Sequence, residues 1–218
     1  LNLAIFDLDN TLLSGDSDYL WGMFLVKKQM VNQAYYEERN QYFYDEYKAG
    51  SLNIDEFLQF SLKPLSEIPS IQLAELHQEF MQTEIIPIVS QKSRHLVEKH
   101  RQQGDYLLII TATNLFVTEE ISNYLGMDHI IATIPEKING LYTGKVSGLP
   151  SFQDGKVVRF KNWLQEQEFD LESSYFYSDS INDLPLLQQV TYPIAVDPDD
   201  KLLAYAKEQQ WDVISLRD

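Results

Sequence analysis

Two aspartates spaced two apart, Asp7 and Asp9, follow the apolar residues 3–6, and a hydroxyl, Thr11, stands two further on. If the apolar run is a strand, alternate residues share a face, so both carboxylates point into one site where the strand ends. Two carboxylates about 4 Å apart repel by roughly 4 kcal/mol at an effective dielectric near 20. Such a pair calls for a proton or a cation, and Mg²⁺ suits hard oxygen donors. A second acidic pair, Asp179 and Asp183, lies in Ser178-Asp179-Ser180-Ile181-Asn182-Asp183 just after the apolar residues 175–177. Its four-residue separation is one helical turn if a helix begins directly there. A third apolar run, residues 107–110, ends in Thr111.

The elements that must position these groups follow from periodicity. Residues 16 to about 85 read as helical, with Tyr19, Leu20, Met23 and Phe24, then Tyr35, Tyr36, Tyr42, Phe43 and Tyr47, recurring at helical spacing. Gly50 and Ser51 break the pattern, a third helix starts after Asn53, and a fourth starts after Pro69 with Ser70 as N-cap. Beyond Pro87, strands alternate with helices: a helix to Gly104, a strand over 106–110, a helix over 115–125, and a hairpin punctuated by Gly140, Gly144 and Gly148. A helix over 156–167 and strands near 175–177, 194–196 and 213–215 complete the series. The expected fold class is α/β, a doubly wound, mostly parallel Rossmann-like sheet with an inserted all-helical domain. The core comprises 1–14 and 86–218, and the insert 15–85. In such sheets ligands bind beyond the carboxyl ends of the strands, where all three polar clusters fall.

Composition narrows the function. A length of 218 residues with 44% hydrophobic residues suffices for a buried core. There is no cysteine, which excludes disulfides and thiolate metal sites and permits a reducing compartment, the cytoplasm by default. No stretch reaches membrane-span length, and Asp7 and Asp9 stand where a signal peptide needs an apolar centre, so no membrane association is expected. A net charge of −16 disfavours nucleic acid as a partner. Oligomeric state is left open.

Together, the DxDxT of Asp7 to Thr11, Thr111 after a strand, Lys156, and the Asp179/Asp183 pair resemble the haloacid dehalogenase superfamily of phosphatases. The resemblance spans nearly the whole chain. A helical insert directly after the first motif is similar to the cap of the branch that includes phosphoserine phosphatase. That branch hydrolyses small phosphomonoesters such as phosphoserine or histidinol phosphate. The resemblance implies a Mg²⁺-dependent hydrolase of a small phosphorylated metabolite.

By the same resemblance, Asp7 is the nucleophile that forms an aspartyl-phosphate. Asp9 is the general acid and base, with its backbone carbonyl toward the metal. The implied metal set is Asp7, Asp9, Asp179 and Asp183, and Thr111 and Lys156 handle the phosphate. Thr113 or Asn114 could equally be the N-cap of the helix that follows Thr111. Asp16 matches the position at which phosphoserine phosphatases bind a substrate ammonium, and it is also a natural helix cap, a job Asp18 could share. Arg39, the lone arginine of the insert, either reaches a substrate anion or stacks on a neighbouring ring. His77, His95, His100 and His129 show no ligand spacing and read as surface or structural. A phosphotransferase or mutase would use the same nucleophile. A phosphorylatable receiver-type signalling domain also carries an Asp, a Thr and a Lys, but neither the paired aspartates on the first strand nor the insert has a role there.

Overall fold

The computed structural model describes residues 2–167, 169 and 171–218. Strand β1 (Leu3–Phe6) leads into helices α1 (Ser17–Lys27), α2 (Gln33–Ala49), α3 (Ile54–Glu67) and α4 (Ser70–Phe80). Alternation then begins with α5 (Gln91–Gln103), β2 (Tyr106–Asn114), α6 (Leu115–Leu125) and β3 (His129–Thr133). A hairpin of β4 (Pro135–Ile138) and β5 (Leu141–Val146) precedes α7 (Asp154–Gln165), β6 (Ser174–Ser178) and the short α8 (Leu184–Leu187). Strand β7 (Tyr192–Val196), α9 (Asp200–Glu208) and β8 (Asp212–Ile214) close the series. The main sheet is parallel, in the order β3-β2-β1-β6-β7-β8.

The first strand is therefore central, paired with β2 through Leu3 to Tyr106 and with β6 through Leu3 to Ser174. A central parallel strand is covered on both faces, which is why its residues form an unbroken apolar run. Ala4 and Phe6 join one core with Leu107, Ile109 and Tyr177, while Leu3 and Ile5 join the opposite core with Leu108, Ile110 and Phe176. The helical insert shares the first of these cores. Trp21 on α1 packs against Phe80 of α4 and Phe116 of α6, at ring separations of 5.2 and 5.4 Å. A separate apolar cluster of Val26, Tyr36, Phe43 and Phe60 ties α1, α2 and α3 together. The β4–β5 hairpin lies along α3, with Gly144 against Ser66 and Leu62.

Local chemistry sets the boundaries. Asn32 caps α2 by accepting from Tyr35 N at 2.9 Å, and the helix stops at Gly50, whose φ of 78° suits a residue without Cβ. Asn53 caps α3 through the backbone N–H groups of Asp55 and Glu56. Ser70 is not the cap of α4: extended Pro69 turns the chain, so Ser70 is already the first helical residue and makes no capping bond. Strand β2 continues to Asn114 rather than ending at Ile110, which puts Thr111 and Thr113 on one face. Asn114 is the N-cap of α6, accepting from Val117 N at 3.2 Å. Among the histidines, His77 is buried and donates to Val117 O, and buried His100 bridges Asp105 at 2.6 Å and the Tyr177 hydroxyl at 2.8 Å. No helix of the described residues is long and apolar enough to cross a membrane.

Candidate active site

The carboxyl ends of β1, β2 and β6 meet at one edge. After Phe6 the chain enters a tight turn over residues 8–12 in which Asp9 is extended (φ −71°, ψ 132°) and Asn10 is left-handed (φ 55°). Leu13 N donates to Leu8 O at 3.0 Å and Asn10 N to Gly15 O at 2.9 Å, which closes the turn. This conformation separates the two aspartates. Asp7, 3% exposed, stays in the floor with its N–H bonded to Tyr177 O. The Asp9 side chain swings toward β2 and α1, where Oδ1 accepts from Ser17 N at 2.6 Å and Oδ2 from Thr113 Oγ1 at 2.8 Å and Thr111 Oγ1 at 3.3 Å.

Lys156 reaches the floor from the first turn of α7 and is itself 3% exposed. Its Nζ donates to Asp7 Oδ1 at 2.8 Å and lies 2.7 and 2.9 Å from the two oxygens of Asp183. Ser178 Oγ also donates to Asp183, at 2.8 Å. Gly155 makes this approach possible. A Cβ there would stand 2.2 Å from Pro150 O, a contact that backbone atoms cannot relieve by side-chain rotation. On the other side of Asp7, Thr11 Oγ1 lies 3.4 Å from Asp7 Oδ2 and 3.1 Å from Asp179 Oδ1, and it accepts from Asp179 N at 3.1 Å. Its single proton serves one carboxylate at a time. Arg217 braces the turn from outside, donating to the carbonyls of Asn10 and Thr11.

The Lys156 ammonium meets two carboxylates, Asp7 and Asp183, while Asp179 adds a third negative group beside Asp7, and the protonation equilibria reflect that excess. Burial raises Asp7 to about 7, against the lowering effect of Lys156 and with further raising by Asp183 and Asp9. Asp179 is raised well above the usual range by burial, Asp7 and Asp183. Burial alone would lower Lys156, but Asp183 and Asp7 overturn it and hold the ammonium above its ordinary value.

The four residues of the implied metal set do not form one cluster. Among the described residues no group of three or more His, Cys, Asp or Glu side chains is arranged to hold a metal. The reason is that Lys156 and Ser178 occupy Asp183, while Ser17, Thr111 and Thr113 occupy the side chain of Asp9. Asp7 and Asp179 remain, converging on Thr11. That donor set still fits Mg²⁺, which takes one or two carboxylates and fills its other positions with carbonyl, water and phosphate oxygens. The unbalanced negative charge around Asp7 favours such an ion.

Above the floor opens a cavity of about 580 Å³, mouth included, lined by Asp7, Asp9, Thr111 and Thr113 from the sheet and by Asp16, Asp18, Asn40 and several aromatic rings from the insert. No Lys or Arg is among its described lining residues. Asp16 is the N-cap of α1, accepting from Tyr19 N at 2.8 Å, and burial and Asp9 raise it to about 7. Arg39 is not at the cavity; its guanidinium lies over the rings of Tyr42 and Phe43, at 4.8 and 4.4 Å. From the sequence Thr113 reads only as a possible helix cap and Ser178 only as part of the polar stretch after residues 175–177, and Arg217 is not singled out. Period-two spacing after Thr111 is the signal that could have found Thr113.

A model of haloacid dehalogenase-like hydrolases matches residues 4–188. The chain is 46% identical to a histidinol-phosphatase of Neisseria meningitidis serogroup C (strain 8013), over 99% of both chains. A solved protein of unknown function from Bordetella pertussis Tohama I superposes with a TM-score of 0.93 at 42% identity, covering 99% of each chain. A substrate-bound phosphoserine phosphatase shares the fold, with a TM-score of 0.72 at 17% identity over 99% of this chain and 92% of that one. Strand-end aspartates, their lysine and these likenesses agree: the chain belongs to the haloacid dehalogenase-like hydrolase family, as one of its phosphatases.

Proposed function

We propose that the protein hydrolyses a small phosphate monoester that carries basic nitrogen and no carboxylate, histidinol phosphate being the compound of this kind that the site suits best. One observation carries the reading: the wall facing the catalytic aspartates offers carboxylates and aromatic rings, with no Lys or Arg among its described residues. A substrate carboxylate such as that of phosphoserine would be desolvated there beside Asp16 and Asp18, while Lys48, held over the Tyr44 ring and acting on Asp16, stays outside the lining. A protonated amine or imidazole would meet opposite charge and ring faces. The 46% identity to a histidinol-phosphatase supports the same choice.

In this reading Asp7 attacks phosphorus in line, the P–O ester bond breaks, and Asp9 delivers a proton to the departing alkoxide. Water, deprotonated by the same Asp9, then attacks the aspartyl-phosphate and releases inorganic phosphate and free Asp7. The contacts of Asp9 with Thr111, Thr113 and Ser17 N suit this work by fixing the carboxyl at the cavity rather than beside Lys156. Thr111 lines the cavity and offers its hydroxyl to a phosphate oxygen. Lys156 favours the ionised nucleophile and offsets phosphate charge. Mg²⁺, held by Asp7, Asp179 and the Asp9 carbonyl, would supply the further positive charge that a dianionic ester and two carboxylates require. Asp183 acts through Lys156.

Residues 15–85 serve as a cap over a core of 1–14 and 86–218. Contacts between them support this: Asn182 Nδ2 donates to Tyr47 O at 3.4 Å, and Tyr47 packs on Phe152. Closure excludes bulk water and limits substrate size. Phosphate release measured on histidinol phosphate, phosphoserine and p-nitrophenyl phosphate, with Mg²⁺ and with chelator, tests the proposal. Expected are the highest kcat/KM on histidinol phosphate, reversible loss on chelation, and no turnover by Asp7→Asn. Equal efficiency on phosphoserine would overturn the substrate assignment, and full activity of Asp7→Asn would overturn the mechanism.

A further inference from the structure

The cavity holds a carboxylate that the reaction above does not use. Asp18, in the first turn of α1, is 8% exposed, and no described residue donates a hydrogen bond or forms an ion pair with its side chain. The charged groups acting on it are Asp16 and Asp9, both repulsive. Asp16 is different: one of its oxygens is taken by Tyr19 N, and the helix start depends on that bond. Both side chains line the cavity, yet only Asp18 keeps both oxygens uncommitted.

A buried, unpartnered carboxylate is unstable as an anion and is retained at a site where a cation or donor comes to meet it. The surroundings strengthen the point. Asp18 stands where the cavity adjoins a small inner void within the insert, and two other polar atoms bordering that void, Trp21 Nε1 and Ser61 Oγ, have no hydrogen-bond partner among the described residues. Three orphaned polar groups around one void form a site built for a polar guest. Tyr19, Phe43 and Phe57 line the cavity beside it and offer ring faces to a cation or a flat heteroaromatic.

We propose that Asp18, rather than Asp16, recognises the basic nitrogen of the substrate, so that the preferred esters are those able to place an ammonium or imidazolium against it while the phosphate lies at Asp7. This rests on the reading of the enzyme as a phosphatase for nitrogen-bearing esters. It also separates two jobs: Asp16 starts the helix, and Asp18 selects.

The test compares wild type, Asp18→Asn and Asp16→Asn through the ratio of kcat/KM on histidinol phosphate to that on p-nitrophenyl phosphate, which has no basic nitrogen. Losing one charged hydrogen bond is expected to lower that ratio by about 10- to 150-fold in Asp18→Asn, through KM. Asp16→Asn is expected to move it less. Calorimetric titration with histidinol, the product alcohol, gives a readout free of catalysis and is expected to show the same weakening. Asp18→Ser, with a smaller polar group, serves if the asparagine variant does not fold. Preference of the wild type that survives in Asp18→Asn, or that vanishes only in Asp16→Asn, overturns the Asp18 assignment alone. A wild type without preference for the nitrogen-bearing ester refutes the substrate reading, and this assignment with it.

Discussion

The lysine at the centre of the site stands where it does because its neighbour has no side chain, and Gly155→Ala makes that quantitative. The added methyl would lie 2.2 Å from Pro150 O, about 1 Å inside an ordinary carbon–oxygen contact. The opposing atom is a carbonyl, and Gly155 N is itself bonded to Phe152 O at 2.8 Å, so strain passes into the backbone at the start of α7. Overpacking of this kind costs about 1–3 kcal/mol, or a fall in Tm of roughly 2–12 °C for a chain of this size. The effect on turnover is larger, because Lys156 is the next residue and its three contacts span only 2.7 to 2.9 Å. A displacement near 1 Å is expected to lower kcat by about 10²-fold. Phosphate release at saturating substrate and a thermal melt decide it. If Gly155→Ala keeps kcat within twofold and Tm within 1 °C, the close approach of Gly155 to Pro150 does not position Lys156.

Lys156→Met removes the ammonium shared by Asp7 and Asp183; turnover is expected to fall by at least about 10²-fold, with about 3–5 kcal/mol of stability lost, read by phosphate release and denaturant melts. Asp7 and Asp16 have folded values near 7 against an ordinary 3.8, so the folded protein retains protons that the unfolded chain releases, and metal-free stability should fall as pH rises from 4 to 7. Buried His77, held below 6.5, works the other way below that pH, so the measurement is the difference in Tm between wild type and Asp16→Asn across pH 5 to 8, which should shrink toward low pH. At pH 7.5, Mg²⁺ is expected to raise Tm in wild type and less in Asp179→Asn, checked by the same melts. Arg217→Ala frees the carbonyls of Asn10 and Thr11; kcat should fall several-fold more than KM changes, with partial recovery in Arg217→Lys.

What the sequence disclosed followed range. Asp7, Thr111, Lys156, Asp179 and Asp183 are recognisable because each follows an apolar run or stands near a helix start, and a parallel sheet brings the carboxyl ends of those runs together. The fold was legible for the same reason, since runs buried on both faces differ in pattern from helices with one apolar stripe. Sharing of ligands was not legible. Whether a carboxylate faces a metal or an ammonium depends on where Lys156 Nζ comes to rest, and Asp183 takes the lysine as its partner on that account. Asp16 and Asp18 illustrate a second limit. Either could cap α1, and only the geometry shows that Tyr19 N selects Asp16. Arg39, a candidate for anion binding, found the nearer faces of Tyr42 and Phe43.

The central place of β1 has a consequence for how the protein comes into being. The strand that leads into Asp7 has as its neighbours on the two sides residues 106–109 and 174–177, both far along the chain. Until both have paired with it, neither Lys156 nor the Asp179/Asp183 pair is in place around Asp7. Such long-range pairing folds slowly and late. The capacity to cleave phosphate esters therefore arrives in one step, when the sheet closes around β1.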